Sequence, residues 1–392
     1  MPLLTGNEQW TYGDAVESLL DFHELEARTG LNERRARYAI QQAYRDLPNR
    51  CAWSYYYRQR LLQTVAPQTS STITYDHTGG AAERLVTIAA GTWPSWAAFG
   101  RLIVGETHYE VATRESSTTL TLTDTSNPGA DLAAGTAYTL YRSAYPLPAN
   151  FRSLVSIYDV DEQRNLPFVD AAQYHHAQSY EDTPSTPMEC MIRATGEYYG
   201  GMALHFNPPP DEAATYDLLY MANPRPLLID EYTSGTVSIA SAATTVTGVG
   251  TVFPMTCVGS VIRFSLTSAP PTGLIGGISG VDNPYVMQGV IKTRTSDTLL
   301  ELEEAASVTI PSGSGYVISD PLDIEPGAML TALLKAAEAE FSSRAGREDA
   351  KYRLSLARQA LLEAMEADNR VENTSIPQSA YNPFVRTNLT SE

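Results

Sequence analysis

The chain has 392 residues, of which 43% are hydrophobic and 18% charged. This is the composition of a folded protein of about two to four domains, and it excludes a chain disordered throughout. The net charge of −18 is concentrated between residues 62 and 320, which hold 11 basic and 26 acidic groups; such a surface repels phosphate backbones and argues against sequence-specific nucleic-acid binding.

Helical patterns occupy the two ends. Asp14 is placed to cap a first helix, in which Val16, Leu19, Leu20 and Leu25 recur at helical spacing and which Gly30 closes. A second helix is predicted from about Asn32 to Leu47, where Pro48 ends it. Ala36, Ala39, Ile40, Ala43 and Leu47 form its apolar stripe, with Arg34, Arg35, Arg37 and Arg45 mostly off it. Trp53 to Val65 reads as a strand with a dense tyrosine cluster, Tyr55 to Tyr57. Between the first and last helices the pattern is β, with strands such as 118–123, 138–142, 154–158, 166–169, 188–193, 203–206 and 216–221, and a short helix near 170–180. Near the C-terminus, Pro326 suits the first turn of a helix carrying Met329, Leu330, Leu333, Leu334 and Phe341. Gly346 interrupts it, and a further helix carries Tyr352, Leu354, Leu356, Ala357, Leu361, Leu362 and Met365. Short helices rarely hold alone, so the two ends are expected to meet in one bundle.

One small β module occurs twice. The first copy holds Gly91-Thr92, Gly100, Thr113-Arg114-x-Ser116-x-Thr118-x-Leu120 and Gly135-x-x-Tyr138. The second holds Gly250-Thr251, Gly259, Thr293-Arg294-x-Ser296-x-Thr298-x-Leu300 and Gly313-x-x-Tyr316, with an extra loop from Ser265 to Pro284. Equal spacing makes Gly100 the counterpart of Gly259. Two copies are too few for a solenoid or propeller, so the modules read as appendages on another core.

No residue constellation points to catalysis, a cofactor or a metal. Gly276-Gly277-x-x-Gly280 lacks the strand, helix and lysine of a phosphate loop. His175-His176, near Asp170, Glu181 and Asp182, lacks the i, i+4 spacing of a metal-binding helix. Asp159-x-Asp161 lacks the rest of a calcium loop, and Glu301, Glu303 and Glu304 belong to the general acidity. Cys51, Cys190 and Cys257 stand too far apart for a zinc knuckle or a disulfide framework and read as free thiols. The start MPLLTGNEQW lacks the features of a secretory signal and no apolar run is long enough to span a bilayer, so synthesis in the cytoplasm is expected.

An ordered set of motifs resembles the head–tail adaptor (connector) proteins of tailed bacteriophages. It runs from the helical pair ending in Arg45-Asp46-Leu47 and the aromatic segment at Trp53, through Tyr145-Pro146-Leu147-Pro148-x-x-Phe151 and Leu204-x-Phe206-x-Pro208-x-Pro210. It continues with Tyr216-x-Leu218-x-Tyr220-x-x-Asn223-Pro224 and ends at Ala367-Asp368-Asn369-Arg370. The resemblance implies a homo-oligomeric ring, commonly a 12-mer, in the virion at the head–tail junction. Such a ring binds the portal protein above and downstream tail or nozzle proteins, and fibres, below. DNA passes through its lumen without sequence-specific binding, and no membrane is involved. The extended tail with Tyr381, Pro383, Phe384, Val385 and Arg386 sits where some adaptors dock to the portal.

The expected fold is α+β: a helical bundle from both termini, a central β section, and two inserted modules of barrel or sandwich type. The expected segments are 1–66 (helices and first strand), 67–142 (first module), 143–227 (central section), 228–320 (second module), 321–371 (C-terminal helices) and 372–392 (tail). The expected function is a non-enzymatic structural adaptor. The alternatives are another tail, collar or fibre-anchoring protein, and, further off, a glycan-binding or cell-wall-hydrolysing one. Removing either module is expected to spare ring formation.

Overall fold

A computed structural model describes residues 9–22, 30–78, 83–178, 183–194, 201–271 and 285–375. The chain is mixed helix and sheet, and it divides into two compact units. Met1–Tyr56 and Pro224–Glu392 form one, here the terminal unit; Tyr57–Asn223 form the other, the middle unit.

The terminal unit begins with α1 (Tyr12–Phe22) and α2 (Gly30–Asp46). Thr11, rather than Asp14, stands at the start of α1. The Thr11 N–H and hydroxyl both donate to Asp14 Oδ2 at 2.9 Å, and the Asp14 N–H donates back to Thr11 Oγ1. This is the reciprocal capping arrangement, with the acid three residues into the helix. Gly30 opens α2 instead of closing α1. The predicted stripe of α2 holds, with Ala36, Ala39 and Ile40 fully buried. After Pro48 the backbone stays coiled, because the buried Trp53 indole donates to the Leu47 carbonyl at 2.9 Å and the Trp53 carbonyl accepts from the Tyr56 N–H. The predicted strand therefore starts only at Tyr57.

The middle unit opens with β1 (Tyr57–Gln63). The first repeated module follows as β2 (Ile73–Asp76), β3 (Leu85–Ile88), β4 (Gly100–Val104), β5 (Thr107–Arg114), β6 (Thr119–Leu122), β7 (Leu132–Thr136) and β8 (Thr139–Arg142). Its seven strands pair in the order β7-β2-β3-β6-β5-β4-β8. The sheet curls into a half-barrel around Ile73, Tyr75, Val86, Trp93, Leu120 and Leu140. Next come β9 (Tyr145–Pro146), β10 (Phe151–Asp159), β11 (Arg164–Asn165), α3 (Ala171–Gln178), β12 (Glu189–Ala194), β13 (Met202–Asn207) and β14 (Thr215–Ala222). These strands form a four-stranded sheet with β1, ordered β1-β14-β10-β11, and a three-stranded sheet ordered β12-β13-β9. Both contribute to one aromatic core, in which Phe206 lies 4.7 Å from Tyr216 and 5.4 Å from Tyr145, centroid to centroid.

The second module belongs to the terminal unit. Its strands are β15 (Thr236–Ile239), β16 (Thr245–Val249), β17 (Val261–Phe264), β18 (Met287–Arg294), β19 (Leu299–Leu302), β20 (Ile310–Ser314) and β21 (Tyr316–Ser319). Their order, β20-β15-β16-β19-β18-β17-β21, reproduces the first sheet strand for strand. The shared sequence motifs build the same local parts in both copies. Arg114 donates to the carbonyl of buried Trp93 at 3.0 Å, and Arg294 to that of buried Phe253 at 2.7 Å. The Tyr138 hydroxyl donates to the Ser70 carbonyl, and that of Tyr316 to the Ser234 carbonyl. Gly135 and Gly313 share a left-handed backbone, φ 94° and 87°, that an L side chain resists.

One expected equivalence is off by a residue. The Trp93 N–H donates to the Ser117 carbonyl and the Phe253 N–H to the Asp297 carbonyl, so these two aromatics correspond. Gly100 and Ser260 each close the short turn that follows, donating to Ala97 and Cys257 respectively. Gly100 thus matches Ser260. The second copy carries one more residue between Gly250 and its aromatic, and identical Gly-to-Gly spacing conceals it.

The C-terminal helices are α4 (Ala328–Arg344) and α5 (Ala350–Ser375). Pro326 lies in the turn before α4 rather than in its first turn, and α5 continues past residue 371. Helices from both ends of the chain share one core: Leu19, Ile40, Trp53, Leu333, Phe341 and Ala364 are all buried in it. Asp368 on α5 accepts from the Ser54 N–H and hydroxyl, tying the last helix to the segment after α2.

Candidate functional site

Among the described residues, those that the sequence offered for chemistry do not converge. His175 is exposed on α3, where Asp170 caps the helix by accepting the Gln173 N–H at 2.8 Å. Glu181, Asp182, the Gly276 loop and the tail residues Tyr381, Pro383, Phe384, Val385 and Arg386 lie outside the described residues. Asp159 folds back on its own turn, its Oδ1 accepting the N–H groups of Asp161 and Glu162. Glu301 meets Lys292 and Thr293 across neighbouring strands, while Glu303 and Glu304 are exposed. Cys190 and Cys257 are buried thiols in no disulfide, and burial, followed by the charge of Glu189, pushes the Cys190 thiol up to about 12. A thiol so held is not a nucleophile at neutral pH. Among the described residues no group of three or more His, Cys, Asp or Glu is placed to hold a metal ion, and no helix is long and apolar enough to cross a membrane.

What the terminal unit does bring together is a seam of buried charge joining α1 to the second sheet. Arg263 on β17 forks onto Asp14, Nη1 to Oδ1 at 2.7 Å and Nη2 to Oδ2 at 2.8 Å, with both residues 4% exposed. The Gln9 carbonyl accepts a further bond from Arg263. Beside this pair, the Gly13 N–H donates to Ser319 Oγ, and a side chain at Gly13 would stand 2.6 Å from the Asp230 carbonyl oxygen. Asp320 at the end of β21 is fully buried. It accepts the N–H groups of Leu228 and Ile229 on one oxygen and Arg225 with the Ser260 hydroxyl on the other. Both carboxylates are saturated with donors, so the seam's chemistry is spent on holding position. Sequence reasoning placed Asp14 only as a helix cap and missed both pairings, because the partners stand 249 positions apart for Arg263 and Asp14 and 95 for Arg225 and Asp320. Buried charge needs a partner, but nothing local in the sequence marks these residues as buried.

Among the described residues of the middle unit, His205 is the perturbed histidine. His205 on β13 is buried, and Arg193 Nε donates to its Nε2 at 3.2 Å, which requires the neutral ring. Burial first, then the charges of Arg193 and Arg101, push its pKa down to about 3. A hydrogen bond with the Ser143 backbone opposes the shift. The ring is a fixed polar strut, not a proton shuttle near pH 7.

A groove of about 490 Å³ runs between α2, α4 and α5. Ala336, Ala339, Ala350, Leu354, Ala357 and Leu361 line its floor and walls, and Leu354 is 46% exposed. Small side chains on three helices leave this space, and its rim mixes Asp46 and Glu340 with Arg50, Lys351 and Arg358.

No family model matches the chain, and no curated protein matches it.

Proposed function

We propose that this chain is a structural protein of a phage virion, the head-to-tail adaptor. Its helical bundle would build a homo-oligomeric ring that docks on the portal and passes DNA through its lumen. The observation that carries the reading is the meeting of the chain's two ends. Helices from residues 12–46 and 328–375 share one core around Ile40, Leu333 and Phe341. Everything between is sheet-rich and partly duplicated, which suits a ring-forming unit made of the helices and the second module, with the first module free to dock partners. The motif residues behind the adaptor resemblance support it as core packers: Tyr145, Leu204, Phe206, Tyr216 and Leu218 fill the central aromatic cluster. The acidic surplus of residues 62–320 suits a passage to which DNA does not adhere.

A second reading, a collar or fibre-anchoring protein, draws on one surface. On the second sheet and its approach, Val249, Val252, Met255 and Leu228 are each at least 60% exposed. Exposed apolar side chains grouped on one module mark a place for a partner.

Co-elution of the purified chain with portal protein tests the proposal. The adaptor reading expects a stable complex, weakened when residues 376–392 are deleted, a cut that leaves α5 whole. Co-elution with fibre protein and not with portal would replace it by the second reading.

A further inference from the structure

The two sheets differ where their strands part. Up to Val290, β18 pairs only with β17; from Ile291 onward it pairs with β19. Beside the parting lies a slot of about 270 Å³, lined by Val261, Gln288, Gly289, Leu302, Glu303 and Glu304 among others. The first copy has the same register, with its bulge between Val111 and Thr113 matching that between Ile291 and Thr293. There Tyr109 packs against the core. The second copy has Gly289 at this place, and the side chain nearest to an added Cβ is Leu302, at 3.0 Å. An aromatic ring present in one copy is missing from the other.

The lining defines what fills the slot. Gln288 Oε1 is buried and has no hydrogen-bond partner. A buried acceptor left so costs free energy until a donor reaches it. Glu303 and Glu304, both exposed, are the charged residues of the lining. The slot therefore fits an aromatic ring that carries a hydroxyl and sits among cations. Among the described residues three tyrosines are well exposed: Tyr38, Tyr158 and Tyr352. Tyr158 adjoins the exposed Asp161 and Glu162, and Tyr352 follows Glu348 and Asp349, so the slot's acids repel both settings. Tyr38 on α2 stands one turn after the exposed Arg34, close to Arg35. The Arg344 guanidinium lies over its ring, 3.6 Å from the centroid. Glu340 pairs with Arg344, which leaves the positive balance to Arg34 and Arg35.

We infer that Tyr38 of one copy enters the Gly289 slot of a second copy, its hydroxyl on Gln288 and Arg34 and Arg35 against Glu303 and Glu304. The tyrosine and the slot are different patches of the same unit. Such a contact is head-to-tail and propagates, closing into a ring where the rotation allows. The inference rests on the self-assembling part of the adaptor reading and requires neither portal nor DNA.

Sedimentation velocity of the chain without portal tests it. The wild type is expected to build higher oligomers as concentration rises. Tyr38→Ala removes the ring, and Gly289→Tyr fills the slot as Tyr109 does in the first copy. Each should weaken the contact about 30-fold, the loss expected of a buried anchor. Mixed together, these two variants keep one intact joint between them, so the mixture should stop at a one-to-one dimer. Tyr352→Ala should assemble like the wild type. If Gly289→Tyr fails to fold, Glu303→Arg with Glu304→Arg takes its place. That variant should regain full oligomers when mixed with Arg34→Glu, Arg35→Glu, because both joints then carry opposite charges. A monomeric wild type, a Tyr38→Ala mixture that yields no dimer, or loss of assembly in Tyr352→Ala would each overturn the joint. Oligomers that survive both Tyr38→Ala and Gly289→Tyr would overturn it too, while leaving the ring reading to another contact. Co-elution with portal reads the adaptor role separately.

Discussion

The two copies of the seven-stranded sheet share a strand order, an arginine on an aromatic carbonyl, a tyrosine on a serine carbonyl and a left-handed glycine. They differ at the edge pair where β4 and β8 of the first correspond to β17 and β21 of the second. Where the first copy has Ile103, Tyr141 and Arg142, the second has Arg263, Ser319 and Asp320, which carry the buried seam to α1 and Arg225. The interior of the module was kept by the fold's own needs, while this edge was given over to what lies beside it. The second copy is thus not an appendage. It packs with the terminal helices as one unit, so deleting residues 228–320 would leave Asp14 buried without its cation, contrary to the expectation that either module is dispensable.

That contrast is open to breakage at several depths. Arg263→Ala should cost the most, about 3–5 kcal/mol of unfolding free energy, because it strands a buried carboxylate. Ile103→Ala at the matching place in the first copy, half-buried, should cost about 1 kcal/mol or less, and urea unfolding of both variants compares them. Equal losses would erase the distinction between the copies.

Acid should act on the unit that holds the first copy. His205 has its pKa lowered from 6.5 to about 3, so the unfolded chain binds a proton in that interval that the folded chain refuses. Its contribution is intact above pH 6.5 and declines as pH falls toward 3, by about 3 kcal/mol at pH 4. Unfolding curves of the wild type and His205→Gln between pH 7 and 4 check this, the variant losing much of the slope.

The shared interior should respond alike in both copies. Arg114→Ala and Arg294→Ala each remove the donor to an aromatic residue's carbonyl and should cost about 1–2 kcal/mol apiece. Smallest is Gly135→Ala against Gly313→Ala. Neither site has an atom within 4 Å of an added Cβ, so each pays only the strain of a side chain on a left-handed backbone, about 1 kcal/mol. Thermal unfolding reads both pairs, and a large inequality within either would mean that the copies differ inside as well as at the edge.

Periodic and repeated features were legible in the sequence: the helical stripes of α2 and α4, most strand positions, and the duplication down to Arg114 and Arg294. Features set by distant partners were not. Thr11 takes the start of α1 because Asp14 is engaged from both sides, and the strand expected from Trp53 begins late because a buried indole curls the backbone. The one-residue offset between copies was hidden because an insertion before the aromatic and a displaced glycine after it cancel in the spacing. The buried seam had no local signature, and the tail residues singled out for docking fall outside the described residues.

Electron microscopy of the purified chain mixed with portal protein should show closed rings of this chain stacked on portal rings, if it is a head-to-tail adaptor. A chain that stays monomeric in that mixture would overturn the adaptor reading.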